Sequence, residues 1–315
     1  MSGGIFLGWA LGSNDAANVF GTAVGSRIIR YRTAVILAAV FILVGAFFEG
    51  SKGISAVSHL ASQTLRSAFI ITVAAGLTVT AMTRMKLPVS ATQAVMGAIV
   101  GMGFFIDPGK IEWFGVWRMV LCWLGTPTFS AILAFFFYPI FAWLLVRLRL
   151  NIIARSTFLK MALVVTGCYG AYALGANNVG NVTGVYYQAG ILDNVVILTL
   201  IGGASISLGV ITYSRNVMFT VGSRLVQLDA FSALVAVWAM AVTVHIYAKI
   251  GVPVSASQAI VGAVLGIGLY KGVKTINRRM VFNILFAWLN TPLIAGLVCW
   301  VAAKAFRICG GSLAI

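Results

Sequence analysis

The chain contains the stretch PVSATQA at residues 88–94 and repeats it almost unchanged, as PVSASQA, at residues 253–259, 165 positions later. Each copy continues into a run in which glycine recurs, at positions 97, 101 and 103 after the first and at 262, 266 and 268 after the second. Both copies are polar, although long apolar stretches surround them. A polar motif that occurs once in each half of an apolar chain indicates two related halves that build one shared site.

The composition predicts a helical membrane protein. Hydrophobic residues make up 61% of the chain and charged residues only 9%, whereas a soluble domain carries about 25% charged residues. Apolar stretches long enough to cross a bilayer, about 20 residues each, recur along the sequence. The net charge of +16 does not indicate nucleic-acid binding, because the basic residues lie between the apolar spans, where they fix the orientation of the chain in the membrane.

A second repeated motif supports the duplication. LGSNDAAN at residues 11–18 aligns with LGANNVGN at residues 174–181, at an offset of 163. The first copy begins about eleven residues into the chain, which is roughly 16 Å of helix or half a bilayer. Of the six acids, only Asp15 is expected so deep. A carboxylate at that depth costs about 2.5–3.5 kcal/mol, so it must face a partner or a wet cavity.

We predict an all-α polytopic membrane protein built as an inverted-topology repeat of about 5+5 segments with broken or re-entrant helices, the halves being residues 1–150 and 151–315. The hydrophobic segments are 3–27, 33–50, 66–86, 88–106 and 113–147 in the first half, and 160–185, 194–213, 228–250, 253–270 and 280–306 in the second. Pro127 and Pro292 lie inside the last segment of each half. Because proline removes a backbone donor, each of these segments is expected to divide into two helical pieces.

The basic residues predict that the two halves are inverted. Three arginines follow the first segment, at positions 27, 30 and 32, whereas the matching residues 190–193 include no basic side chain. The loop 107–112 holds two acids and one lysine, whereas its counterpart holds four basic residues, Lys271, Lys274, Arg278 and Arg279. Corresponding loops are therefore expected on opposite sides of a cell membrane, and an odd number of segments per half gives this inversion. With the basic loops on the cytoplasmic side, both termini are expected outside.

The two PVSA motifs are expected to begin helices within the membrane, because proline suits the first helical turn. They offer hydroxyl and amide donors, and exposed backbone N–H groups add a positive partial charge. Two such helix starts would converge into a cage of neutral donors that suits a tetrahedral oxyanion better than a cation. The candidate anion-binding side chains are Ser90, Thr92, Gln93, Ser255, Ser257 and Gln258.

The Asn/Asp motifs offer oxygen atoms, which are the ligands that hard cations such as Na⁺ take, and unwound backbone in a broken helix would add carbonyls. Anion donors beside cation ligands indicate symport, since the cation offsets the charge of the anion in a low dielectric. The candidate ligands of the coupling cation are Asn14, Asp15, Asn18, Asn177, Asn178 and Asn181. The alternative is that such polar side chains only join helices, and the motif glycines are expected to serve close helix packing.

At these four motifs the sequence resembles the inorganic phosphate transporter (PiT) family, over essentially the whole chain. The resemblance implies a Na⁺- or H⁺-coupled importer of inorganic phosphate, an inverted-repeat fold and a homodimer. It also implies that the six candidate donors hold phosphate and that the Asn/Asp motifs bind the coupling ions. Asn178 stands where the family usually has Asp and Gly180 where it usually has Ala, which leaves the number of coupled cations open. Some relatives are sulfate permeases, which leaves the oxyanion open.

The leading hypothesis is therefore cation-coupled symport of inorganic phosphate by alternating access. The alternatives are a sulfate permease of the same fold and, less favoured, an uncoupled anion channel. An enzyme is not expected, because the sequence has no Ser/His pair, HExxH motif or paired intramembrane aspartates. No cofactor is expected, since the two histidines and four cysteines lack metal-ligand spacing. The expected partners are the anion, the lipid bilayer and a second copy of the chain.

Overall fold

A computed structural model describes residues 1–60, 63–85, 89–224, 228–272 and 278–313. Pro88 and Lys274 lie outside the described residues. The described chain is helical, with a short 3₁₀ turn at Pro108–Lys110. Its α-helices are α1 (Ser2–Gly25), α2 (Tyr31–Glu49), α3 (Ser51–Ser58), α4 (Leu65–Arg84), α5 (Ala91–Ile106), α6 (Trp113–Arg147), α7 (Ile152–Gln188), α8 (Val195–Arg224), α9 (Ala230–Ile250), α10 (Ala256–Lys271) and α11 (Arg278–Ile308).

Seven of these helices, α2, α4, α6, α7, α8, α9 and α11, are long and apolar enough to cross a membrane. The chain is therefore a multi-pass integral membrane protein, as the composition predicts. Helices α5 and α10, which follow the PVSA motifs, have only 16 residues each. That is about 24 Å of helix, short of the roughly 30 Å hydrocarbon core. The structure also contains α3, which the hydrophobic segments did not predict, and extends α7 to Ile152 and α8 to Arg224.

The predicted helix breaks are wrong. Helix α6 continues through Pro127 and α11 through Pro292. The threonine before each proline donates a hydrogen bond to the carbonyl four residues earlier, Thr126 to Cys122 at 2.6 Å and Thr291 to Ala287 at 2.7 Å. Such hydroxyl bonds and close neighbouring helices let membrane helices tolerate proline. Helices α1 and α7 also run unbroken through the Asn/Asp motifs, so the described backbone there is helical rather than unwound.

The two halves of the chain pack by exchanging helices. Helix α1 lies along α8 and α2 lies along α7, while α5 lies along α11 and α10 lies along α6. Each of these pairs joins one helix from residues 1–150 to one from residues 151–315. Within each half, α4 packs on α5 and α9 packs on α10. Under the repeat, the pair α1–α8 corresponds to the pair α7–α2, and α5–α11 corresponds to α10–α6.

The motif glycines lie where helices from different halves touch. Gly97 of α5 lies against the backbone of Pro292, and Gly262 of α10 lies against the backbone of Pro127. In both places a Cβ atom would collide with the proline carbonyl. The expected role of these glycines in close helix packing is therefore confirmed.

We expect Gly262→Ala to lower the melting temperature of the purified protein. The added methyl group would force α10 away from α6, and overpacking of this kind costs about 1–3 kcal/mol. Gly53→Ala is the matched control, because Gly53 is also buried in a helix but its Cβ would meet its nearest neighbours at 3.6 Å, an ordinary contact. The control should melt at the wild-type temperature or above it. Equal loss in both variants would contradict the packing role of Gly262.

The base of the α9–α10 pair is held by an ion pair outside the membrane-spanning segments. Asp229 caps α9 by accepting from the Ser232 N–H at 2.9 Å, and the Lys271 ammonium at the end of α10 donates to Asp229 at 2.8 Å. Partial burial raises the pKa of Asp229, but the hydrogen bonds from Lys271 and Ser232 outweigh it and lower the pKa to about 2.

Because folding lowers this pKa, the carboxylate stabilises the fold above its unfolded pKa and loses that effect as the pH falls towards 2. Asp229→Asn keeps a good helix cap but removes the charge. We therefore expect the variant to melt below the wild type at pH 6 and to approach the wild type at pH 3. A constant difference between the two pH values would contradict the ion pair as the cause.

Candidate functional site

The two PVSA motifs place a serine at the start of a buried helix. Ser90 is the N-cap of α5 and accepts from the Gln93 N–H at 3.4 Å, and Ser255 is the N-cap of α10 and accepts from the Gln258 N–H at 3.2 Å. The expected helix starts are thus present. Proline does not occupy the first turn, however: Pro253 precedes the capping serine by two residues. The cap is a hydroxyl, which fits the preference of N-cap positions for serine.

The Asn/Asp motifs of α1 and α7 meet at Asp15. One carboxylate oxygen, Oδ2, accepts from the Asn178 amide at 2.8 Å. The other, Oδ1, accepts from Asn14 at 3.0 Å and from Asn18 at 3.4 Å. Asp15 and Asn178 occupy equivalent positions in the two copies of the motif, so the halves join through a carboxylate–amide pair. The Asp15 side chain is only 4% exposed, and its charge is met by amide dipoles rather than by a basic side chain among the described residues.

The two kinds of motif are joined in matched pairs across the halves. The Asn18 amide of the first half donates to the Ser257 hydroxyl at 2.9 Å, and the equivalent Asn181 amide donates to the Thr92 hydroxyl at 3.1 Å. Asn181 also donates to Asn178 Oδ1 at 3.3 Å. One continuous network therefore contains eight of the twelve predicted side chains: Asn14, Asp15, Asn18, Asn177, Asn178, Asn181, Thr92 and Ser257.

The network is not symmetric. Asn177 donates to the Val254 carbonyl at 2.7 Å and accepts from the Val254 N–H at 2.9 Å. Asn14 and Asn177 both donate to the next residue of their motif at 3.0 Å, but Asn14 has no bond equivalent to the Val254 pair among the described residues and accepts weakly from Thr83 at 3.4 Å. Val254 and Thr83 were missed by sequence reasoning, because one contributes only backbone atoms and the other lies outside both repeated motifs. The repeated position of Val254 within the PVSA motif was the one available signal.

Three buried acceptors of the site have no hydrogen-bond partner in the described part of the chain. They are Oε1 of Gln93, Oε1 of Gln258 and Oδ1 of Asn181. Gln93 and Gln258 are equivalent residues, so the same unpaired group recurs in both halves. A buried polar group without a partner costs about 1–3 kcal/mol. Paired occurrence at a repeated motif indicates groups held for a ligand rather than a packing accident.

Beside the network, an ionic cluster joins α2 to α9. The Glu49 carboxylate pairs with His245 Nε2 and with the Lys249 ammonium, both at 2.8 Å. The Tyr169 hydroxyl contacts His245 Nδ1 at 2.7 Å, and Lys52 donates to the Lys249 carbonyl at 3.0 Å. The cluster lies just before the turn that leads from α9 to Ser255. Its members are far apart in sequence, and no sequence motif predicted the cluster.

The predicted six donors and six oxygen ligands are all buried, with side chains from both halves interleaved. A multi-pass helical bundle with a buried polar site, built from two equivalent pairs of motifs, is typical of a membrane transporter. The phosphate transporter family matches residues 11–299, and the chain belongs to this family. The chain is thus a transporter and not an enzyme.

Similar proteins span nearly all of this chain. A putative phosphate permease of Methanocaldococcus jannaschii is 30% identical, over 93% of this chain and 92% of the relative. A putative phosphate permease of Thermococcus kodakarensis is 29% identical, over 98% and 97%. A sulfate permease of Bacillus subtilis is 26% identical, over 96% and 86%. The solved structure of a sodium-dependent phosphate transporter superposes with a TM-score of 0.86 at 22% identity, over 98% of both chains, which shows that the fold is shared.

Proposed function

We propose that this protein is a secondary active transporter that carries inorganic phosphate together with a coupling cation, Na⁺ or H⁺, by alternating access. The observation that carries the proposal is the meeting of two serine-capped helix starts with the single buried carboxylate of the motifs, joined through Asn18–Ser257 and Asn181–Thr92. Helix starts and hydroxyls bind oxyanions, and carboxylate and amide oxygens bind cations. Both functions are therefore supported at one buried place.

The anion is assigned to the starts of α5 and α10. Their first-turn N–H groups, the positive ends of their dipoles and the hydroxyls of Ser90, Ser255 and Ser257 supply donors without a full positive charge. The Thr92 hydroxyl belongs to the same proposed set, although here it donates to the Val254 carbonyl at 3.1 Å. The unpaired acceptors Gln93 Oε1 and Gln258 Oε1 favour a ligand that also donates. Hydrogen phosphate carries a proton near neutral pH, whereas sulfate does not. Sulfate remains the second candidate because a relative is a sulfate permease.

The coupling cation is assigned to Asp15 and the surrounding asparagines. The amides of Asn14, Asn18 and Asn178 now direct nitrogen towards the carboxylate. Rotation of an amide by about half a turn exchanges its nitrogen for its oxygen, which would convert these donors into cation ligands. A cation held there would offset the charge of phosphate in the low dielectric. Asn177 and Asn181 belong to the same proposed set.

Alternating access is supported by the exchange of helices between the halves. The contacts of α1 with α8 and of α1 with α4 correspond to those of α7 with α2 and of α7 with α9, as two copies related by a pseudo-two-fold axis require. We assign residues 1–150 and 151–315 to the two inverted repeats of one transport unit. Both termini are placed outside the cell membrane, and two chains are proposed to form a dimer.

Uptake into proteoliposomes tests this function. We expect uptake of radiolabelled phosphate to depend on an imposed Na⁺ or H⁺ gradient and to be inhibited by arsenate but not by sulfate. Flux that persists without any cation gradient would favour an uncoupled anion channel. Inhibition by sulfate and not by arsenate would reassign the anion to sulfate while leaving the site in place.

A further inference from the structure

A basic cavity lies at the end of the helical bundle where α1 ends and where α7 and α9 begin. Its volume is about 500 Å³. Arg27 reaches it from the end of α1, Arg155 and Lys160 from the first turns of α7, and Ala230 lies at the start of α9. Ser156 adds a hydroxyl. No described lining residue is acidic, so three positive charges from two helices border one space.

These three cations have no counterion among the residues that the structure describes. The side chains of Arg27, Arg155 and Lys160 form neither an ion pair nor a hydrogen bond with any residue in the described ranges. Nearby, by contrast, Lys271 is paired with Asp229 at 2.8 Å. Like charges around a shared cavity repel one another, and an anion between them would replace the repulsion with charge-assisted hydrogen bonds.

Arg27 occupies a backbone conformation that favours glycine. Its φ angle is 59°, and the equivalent residue of the second half, Gly190, has φ 66°. The two helix ends are built alike, since the Arg27 N–H bonds to the Val24 carbonyl at 3.0 Å and the Gly190 N–H bonds to the Tyr187 carbonyl at 3.1 Å. Glycine adopts this conformation freely, whereas a residue with a Cβ is strained. Glycine at position 27 would remove this backbone strain, so the presence of arginine indicates a separate role for its side chain.

Apolar side chains extend outwards beside the cavity. Ile152 borders it and is 89% exposed, and the adjacent Ile153 is 80% exposed. Both lie at the first turn of a helix that is apolar enough to span a membrane. Residues in this place contact acyl chains, while basic pockets between helix ends bind the head groups of anionic lipids. A phospholipid satisfies both features, whereas a free anion satisfies only the basic one.

We propose that this cavity binds the phosphate group of an anionic phospholipid, held by Arg27, Arg155 and Lys160 with Ser156 as a further donor. The bound lipid joins the end of α1 to the starts of α7 and α9. Helix α1 carries Asp15, and α7 carries Asn178. The lipid therefore stabilises the relative placement of the helices that build the polar network, at a site separate from it.

Native mass spectrometry of the purified protein, titrated with phosphatidylglycerol or with phosphatidylcholine, tests the proposal. We expect phosphatidylglycerol to bind more tightly. Each basic residue contributes about fivefold, so Arg27→Gly should weaken its binding about fivefold and Arg27→Gly with Arg155→Gln about 25-fold. Because glycine occupies the equivalent position in the second half, Arg27→Gly should melt at or above the wild-type temperature without lipid. Loss of binding in that variant is therefore not loss of the fold.

Arg149→Gly is the matched control. Arg149 also has a positive φ, 49°, and lies between α6 and α7 near the same end of the bundle, but it does not line the cavity. Its removal should change phosphatidylglycerol binding less than twofold. Equal weakening by Arg149→Gly and Arg27→Gly would reduce the effect to general surface charge and overturn the proposal.

Inorganic phosphate is the second probe, because it shares the phosphate group but lacks acyl chains. The wild type and Arg27→Gly should be stabilised equally by millimolar inorganic phosphate, since any binding at the transport site is common to both. Stabilisation that Arg27→Gly removes, together with phosphatidylglycerol binding that it leaves intact, would place a free anion in the cavity and overturn the lipid assignment.

Discussion

Asp15→Asn is expected to raise the half-saturating concentration of the coupling cation tenfold or more. Asp15 is the only carboxylate in the buried network, and it already gathers the amides of Asn14, Asn18 and Asn178 around it. Losing an interaction with a charged group costs about 1.5–3 kcal/mol, and 1.4 kcal/mol is a factor of ten. The measurement is phosphate uptake into proteoliposomes as a function of the Na⁺ concentration and, separately, of the proton gradient.

Two further variants test whether the effect is specific to Asp15. Asp229→Asn removes an acid outside the network and should leave the cation dependence unchanged. Asn178→Asp places a second carboxylate at the hydrogen-bonding distance of 2.8 Å now spanned by the amide. Two carboxylates so close require a proton or a cation between them, so uptake should become more strongly dependent on the cation. If Asp15→Asn kept the wild-type cation dependence, Asp15 would be a structural acceptor and the coupling site would lie elsewhere.

Gln93→Ala and Gln258→Ala are each expected to raise the half-saturating phosphate concentration about tenfold, with little change in the cation dependence. Both side chains are buried at the starts of α5 and α10, and each keeps an acceptor without a partner among the described residues. A hydrogen bond to a charged ligand contributes about 1.5–3 kcal/mol, which corresponds to that factor. Initial uptake rates at saturating cation and varied phosphate give the value directly.

Gln63→Ala is the matched control for both substitutions. Gln63 is also a buried glutamine, 8% exposed, but its Oε1 accepts from the Ser67 hydroxyl at 2.7 Å at the start of α4. Its removal should lower thermal stability without changing the half-saturating phosphate concentration. If neither Gln93→Ala nor Gln258→Ala changed that concentration, the unpaired oxygens would not face the anion.

The asymmetry of the network leads to a further expectation about transport. If the two inverted halves exchange conformations during the cycle, the opposite state should replace the Asn177–Val254 contacts with equivalent contacts between Asn14 and Val89. Asn177→Ala should then weaken the state seen here, and Asn14→Ala the opposite one. Cross-linking or spectroscopic distances across the two bundle ends should shift in opposite directions for the two variants. Shifts in the same direction would contradict the exchange.

The repeated motifs predicted that both halves contribute to one shared site, but not which of their residues pair. An offset of 163 makes Asp15 and Asn178 equivalent, but only the structure shows that these two side chains form the joint between α1 and α7. The repeat likewise makes Gly97 and Gly262 equivalent, and in the structure they face equivalent partners. Sequence periodicity and composition were enough for the membrane class, because each crossing demands its own apolar stretch.

Other features depended on neighbours that the sequence does not display. Pro127 was expected to break α6, but a hydroxyl bond from Thr126 and close packing against α10 allow the helix to continue. The Asn/Asp motifs were expected to unwind, yet side-chain amides meet the Asp15 charge without any release of backbone carbonyls. In the Glu49–His245–Lys249 cluster, Glu49 and His245 are 196 positions apart in sequence. Short motifs carry no information about such distant pairs.

A high-resolution map of the protein in lipid, recorded with phosphate and the coupling cation present, tests the central claim most directly. We expect oxyanion density between the starts of α5 and α10, within hydrogen-bonding distance of Ser90 and Ser255, with the cation beside Asp15. Density for the oxyanion at any other place along the bundle, with both serine-capped helix starts bonded only to protein or water, would contradict it.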